Sequence, residues 1–174
     1  MVKFFYKLFL AFSSTYFIII VYLIKEHFKF EFLNSYSEFY SWTILFFISL
    51  GLSAISFLIL FWVGDDSIAK ADVVEIEMAN NSFLPTYLGY FFVSLGISDM
   101  PTLLFIFIIV FLFTLFSQSL YFNPIFLLFG YQFYFIKNVS NQKIFLITRR
   151  ELKTPGSDDF DHLKRINDYT FIEI

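Results

Sequence analysis

The chain reads YFNPIFLLFGYQFYFIKN over residues 121–138, and the division of this stretch decides the fold. A long apolar run is cut by Asn123-Pro124, resumes through Gly130 and closes on Lys137. Proline has no amide hydrogen and disfavours helix at the residue before it, so a preceding helix ends or kinks near Phe122. Ile125 to Phe129 stay apolar enough to lie at a membrane interface. Beyond Gly130 the run YQFYFI (131–136) is rich in aromatic residues of high strand propensity. Asn138-Val139-Ser140-Asn141 is turn chemistry, and KIFLIT (143–148) reads as a second strand, so a hairpin is expected. The stretch is an exit, at which a membrane helix hands over to a small β-rich domain.

The rest of the chain sets the context for that exit. Hydrophobic residues make up 58% and charged residues 16% of its 174 positions. Soluble domains average about 45–50% and about 25%, so a membrane protein is the expected class. Cysteine is absent, which excludes disulfides and thiolate metal sites. A helical span needs roughly 20 mostly apolar residues. Four candidates are read, at 8–24, 42–63, 84–97 and 101–122, the third short and interrupted by Pro85, Gly89 and Gly96.

Charge sets the sidedness. Lys3 and Lys7 lie at the N-terminus, and Lys137, Lys143, Arg149, Arg150, Lys153, Lys164 and Arg165 follow the exit. Both ends are therefore expected in the cytoplasm, with an even number of crossings. Four crossings leave only Lys25 and Lys29 outside and make 64–83 a cytoplasmic loop. The expected fold is an α-helical integral membrane protein: a four-helix transmembrane domain at 1–130 and a small cytoplasmic β-rich domain at 131–174. In the latter, the hairpin is followed by a short helix over DDFDHLKRI, capped by Ser157 or Asp158, and by a strand at 169–174. Some 45 residues are few for an independent core, so this domain is expected to lean on another surface.

Chemical signals are sparse. No ionisable residue lies in the middle of an expected span, which counts against an ion-coupled transporter. Ser13, Ser14 and Thr15, and the trio Ser49, Ser53 and Ser56, read as helix-packing residues, as do Ser117, Gln118 and Ser119. The serine trio is also expected to support homo-oligomers. His27 and His162 sit on opposite expected sides, and Asp158, Asp159 and Asp161 lack a calcium-loop pattern, so no metal site is expected. No phosphate-cradling glycine loop and no nucleophile beside a base is present, so neither enzymatic activity nor a cofactor is expected. The exposed hairpin is expected to hold a cytoplasmic protein through Tyr134, Lys143, Arg149 and Arg150, with Asp72, Glu75 and Glu77 as a second contact.

Two segments resemble a known family. EIEMANNSFLPTYLGYFFVSLGI (75–97) is similar to a cytoplasmic loop with an Asn-rich end leading into a short Leu-x-x-Tyr-Leu span. YFNPIFLLFGYQFYFIK (121–137) is similar to an Asn-Pro-aliphatic, Gly-Tyr-x-x-Tyr exit. Together they resemble KwaA, the membrane subunit of the Kiwa anti-phage defence system of bacteria. The resemblance implies an inner-membrane homo-oligomer that senses disturbance of the envelope by phage. It further implies a cytoplasmic DNA-binding partner, the KwaB subunit, without direct nucleic-acid binding by this chain. The alternatives read from the residues are a small oligomeric channel or transporter, and a membrane anchor for an unrelated cytoplasmic enzyme.

Overall fold

The computed structural model describes residues 2–69, 72–116, 123–155 and 159–173. Helices α1 (Val2–Thr15) and α2 (Phe17–Lys25) form one rod broken at Tyr16. The break has a local cause. Ser13, Ser14 and Thr15 turn their hydroxyls back onto the carbonyls of Leu10 and Ala11 at 3.1, 2.9 and 2.9 Å, a competition that bends helices. A short connection returns the chain as α3 (Glu38–Leu60), which packs on α1. Helix α4 (Leu84–Gly96) packs on α2, and α5 (Met100–Phe116) on α1.

The sheet is larger than the sequence suggested. Strands β1 (Asp65–Ile68), β2 (Val73–Met78), β3 (Gln132–Asn138), β4 (Lys143–Thr148), β5 (Phe160–Asn167) and β6 (Thr170–Glu173) form one mixed sheet in the order β1-β5-β6-β4-β3-β2. Its single parallel pair among the described residues is β4 with β6. Both edge strands come from one segment: β1 pairs with β5 and β2 with β3. Only five residue steps separate Ile68 from Val73, a reach of at most about 18 Å. A flat six-stranded sheet would hold its edges about 24 Å apart. The sheet therefore has to curl, and its two faces bury different things.

The inner face closes on itself. Val73, Tyr134, Ile136, Ile144, Leu146, Leu152, Phe160, Leu163 and Phe171 form a core to which, among the described residues, no helix contributes. The outer face is divided. Near the helices, Phe133, Phe145, Ile147, Ile166 and Ile172 pack on Tyr6, Leu10, Leu60, Val63 and Phe126. Further along the same alternation, Lys137 and Lys143 stand in water.

These findings correct the four-span reading. Among the described residues two helices, Phe4–Lys25 and Glu38–Leu60, are long and apolar enough to cross a membrane. The Leu84–Gly96 helix has 13 residues, below the roughly 20 required, and the described part of the helix that starts at Met100 has 17. Residues 64–83, read as a cytoplasmic loop, supply both sheet edges, so the sheet is not confined to 131–174. The chain is a helical layer joined to a six-stranded mixed sheet.

The expected helix over DDFDHLKRI is also corrected, because Phe160–Asn167 is strand β5. Phe160 and Leu163 are spaced as on a helix face. A bulge in the pairing with β1 opposes Ile68 to Phe160 and Asp66 to Leu163, which turns both side chains into the same core. The expected caps Ser157 and Asp158 lie outside the described residues, as do Ser117, Gln118 and Ser119 and the end of the span read at 101–122.

Candidate functional site

The exit stretch is built from a capped turn. Asn123 is 1% exposed; its Nδ2 donates to Ser53 Oγ at 2.9 Å and its Oδ1 accepts from the Ile125 amide at 3.0 Å. The turn leads into α6 (Ile125–Leu128). That helix ends with Gly130 at φ 79°, its amide donating to Leu127 O at 3.0 Å and the Tyr131 amide to Phe126 O at 2.9 Å. This left-handed terminator is the geometry glycine adopts without a steric penalty. It aims Tyr131 at α3, where its ring stacks on Phe57 with centroids 4.6 Å apart and planes 14° from parallel.

Two surface regions arise around this junction. The first is a cleft of about 340 Å³ lined by Tyr131, Arg149, Arg150, Asp159, Asp161, His162 and Glu173. The Arg149 guanidinium lies 4.6 Å over the Tyr131 ring. Burial pushes the Tyr131 hydroxyl above the ordinary tyrosine range, and Arg149 draws it partly back. Arg150 is held as a structural group: it forms an ion pair with Glu173, and also donates from Nε to Glu173 Oε2 at 3.0 Å and from Nη2 to Asp159 O at 3.1 Å. Thr148 joins the same carboxylate through its hydroxyl.

The second region is the water-facing half of the outer sheet face. Lys143 pairs with Glu77 at 3.1 Å and Lys137 with Glu75 at 3.6 Å. Lys143 also sits 3.9 Å over the Phe135 ring, which ends the apolar half of this face. These residues frame a shallow recess of about 210 Å³. Asp72 is exposed beside it, its carbonyl accepting from the Val139 amide at 3.0 Å.

The residues singled out in the sequence therefore fall in three places. Glu75, Glu77 and Lys143 share the charged sheet face, Asp72 is exposed just before the edge strand of that face, and Arg149 and Arg150 share the cleft. Tyr134 belongs to neither. It is 1% exposed in the inner core, its hydroxyl donating to Gln132 Oε1 at 2.8 Å and accepting from the Leu152 amide at 3.2 Å. The curl turns it inward, so its expected role as an exposed docking residue is corrected. Ser49, Ser53 and Ser56 are buried within the chain, which removes them as a self-association face. Tyr131 and Glu173 carry no functional expectation from the sequence, Asp161 and His162 are weighed there only as metal ligands, and Lys137 only as a topological charge. Only Lys137 had a readable signal: the alternation in VVEIEM marks a strand whose acids need opposing bases.

With the geometry in place, comparison with known proteins is decisive on one point. The family model of the anti-phage protein KwaA matches residues 6–172. The chain belongs to the KwaA family. The match spans both the helical layer and the sheet. Membership assigns the protein a role in anti-phage defence within the Kiwa system, and the two apolar helices are consistent with membrane association. No curated protein and no solved structure matches the chain.

Proposed function

We propose that this KwaA-family protein is a non-enzymatic membrane sensor and scaffold of the Kiwa system. It resides in the bacterial inner membrane as a homo-oligomer and holds a cytoplasmic DNA-binding partner on its curled sheet. One observation carries the reading: the outer sheet face is apolar where the helices cover it, and charged and open beyond them. Glu75, Glu77, Lys137 and Lys143 stand there in alternating sign, the pattern by which rim charges select and orient a partner. Both edge strands carry exposed acids, Asp65 on β1 and Glu75 and Glu77 on β2. Such charges discourage indiscriminate strand addition, so recognition runs through side chains.

The membrane arrangement follows from charge and packing. Phe4–Lys25 and Glu38–Leu60 form a two-crossing hairpin whose outer turn holds Lys25 and Lys29. Tyr6 and Leu10 pack on sheet residues, which supports a reading with the N-terminal end and the sheet on one side, together with the basic residues of 137–165. By the positive-inside rule that side is the cytoplasm. Self-association uses the outward phenylalanines of the shorter helices, Phe91 and Phe92 on α4 and Phe105 and Phe113 on α5.

The test is co-purification of the Kiwa DNA-binding subunit with the membrane fraction, alongside phage plating. Glu75→Lys with Glu77→Lys is expected to abolish partner recovery and protection while leaving the chain in the carbonate-washed membrane pellet. Undiminished recovery of the partner by this variant would refute docking on the charged sheet face.

A further inference from the structure

The cleft beside the exit stretch lies at a defined depth. Phe57 is in the last turn of α3, and beyond it Phe61 and Trp62 are 67% and 75% exposed. Exposed aromatic side chains at the end of a crossing helix mark the membrane–water interface. Tyr131 stacks on Phe57 and Arg149 lies over Tyr131, so the guanidinium stands one ring away from that level. A guanidinium there meets phospholipid phosphate, which it binds bidentately and which a hydrated ammonium binds less specifically.

The charges that remain in the cleft select among headgroups. Arg150 is neutralised by Glu173. Among the described residues Arg149 meets no carboxylate and Asp161 meets no cation, and both line the same cleft. A wholly anionic headgroup would satisfy Arg149 and be repelled by Asp161. A phosphoethanolamine headgroup matches both, its phosphate on the guanidinium and its ammonium, with hydrogens to donate, on the carboxylate. A choline headgroup has the charge but no N–H to offer.

We propose that the Tyr131–Arg149–Asp161 cleft is a binding site for the phosphoethanolamine headgroup of a membrane phospholipid. Arg149 holds the phosphate and Asp161 the ammonium, and the Tyr131 ring fixes the guanidinium by stacking. The site is separate from the charged sheet face and rests on the membrane placement proposed above.

Native mass spectrometry of the delipidated full chain in detergent, titrated with phosphatidylethanolamine, phosphatidylglycerol or phosphatidylcholine, tests it. The expected result is preferential retention of phosphatidylethanolamine, falling about tenfold in Arg149→Gln, the scale of one charge-assisted contact. Asp161→Asn is expected to erase the preference over phosphatidylcholine. Excess inorganic phosphate is expected to displace nothing; displacement would mean a free-phosphate site and overturn the proposal. Equal retention of the three lipids, or stronger retention of phosphatidylglycerol, would also overturn it. If Arg149→Gln fails to fold, Asp161→Asn decides alone, a persisting preference counting against the site. Carbonate extraction reads the membrane placement independently. Lost selectivity in a chain that stays in the pellet therefore rejects the site and not the placement.

Discussion

Replacing Asn123 with Ala probes the hinge between the two layers. The change removes two buried contacts at once: the donation from Nδ2 to Ser53 Oγ at 2.9 Å, and the acceptance from the Ile125 amide at 3.0 Å. The first is an ordinary neutral hydrogen bond, contributing about 0.5–1.5 kcal/mol net. The second leaves a buried amide without its partner, which costs about 1–3 kcal/mol. Together they predict a loss of about 1.5–4.5 kcal/mol. Ser53→Ala removes only the first contact, so a double-mutant cycle between the two positions should return a coupling of about 0.5–1.5 kcal/mol. The assay is equilibrium unfolding in mixed micelles, followed by tryptophan fluorescence from Trp42 and Trp62, both in or beside α3. A cycle with zero coupling would refute the bridge between α3 and the exit turn. An Asn123→Ala loss below about 0.5 kcal/mol would refute the whole account of the hinge, since it would match an ordinary surface substitution.

Three further outcomes follow from the same geometry. Tyr134→Phe should destabilise the sheet by about 1–3 kcal/mol, since the Leu152 amide loses its acceptor, and should speed hydrogen exchange at that amide. Gly130→Ala should cost about 1 kcal/mol in a denaturant titration. A methyl there has nothing within 4 Å to strike, so that loss reports the left-handed backbone alone. Asp99 accepts from the Thr102 amide at 2.9 Å, then from the Thr102 and Ser98 hydroxyls, and these bonds hold its carboxyl below the ordinary aspartate value of 3.8. A lowered folded-state value means the capping contribution is fully present above the unfolded value and is lost as pH falls through the folded one. Protection of the Thr102 amide should therefore fall in acid below that value, and Asp99→Asn should flatten the response.

Much of the local structure was legible in the sequence. The strands expected at 131–136 and 143–148 overlap β3 and β4, which pair antiparallel across the Asn138–Gln142 turn. The strand expected at 169–174 contains β6. The two segments that carried the family resemblance lie inside the family match. These features are written in runs of adjacent residues, where proline, glycine, aromatic content and hydrophobic length act over a few positions.

What escaped the sequence depends on partners far along the chain. The acidic alternation of 65–78 looks like a solvated loop until β5 and β3 supply Lys164, Lys137 and their backbone ladders. Tyr134 and Arg149 both read as exposed members of a hairpin. The curl of the sheet buries the first and leaves the second over Tyr131 beside the helix ends. Local composition decided that the chain has apolar helices and aromatic strands. Tertiary structure alone decided which strands close the sheet and which side chains face inward. A strand's side chains alternate between two faces, and only the pairing of distant segments determines which face meets water.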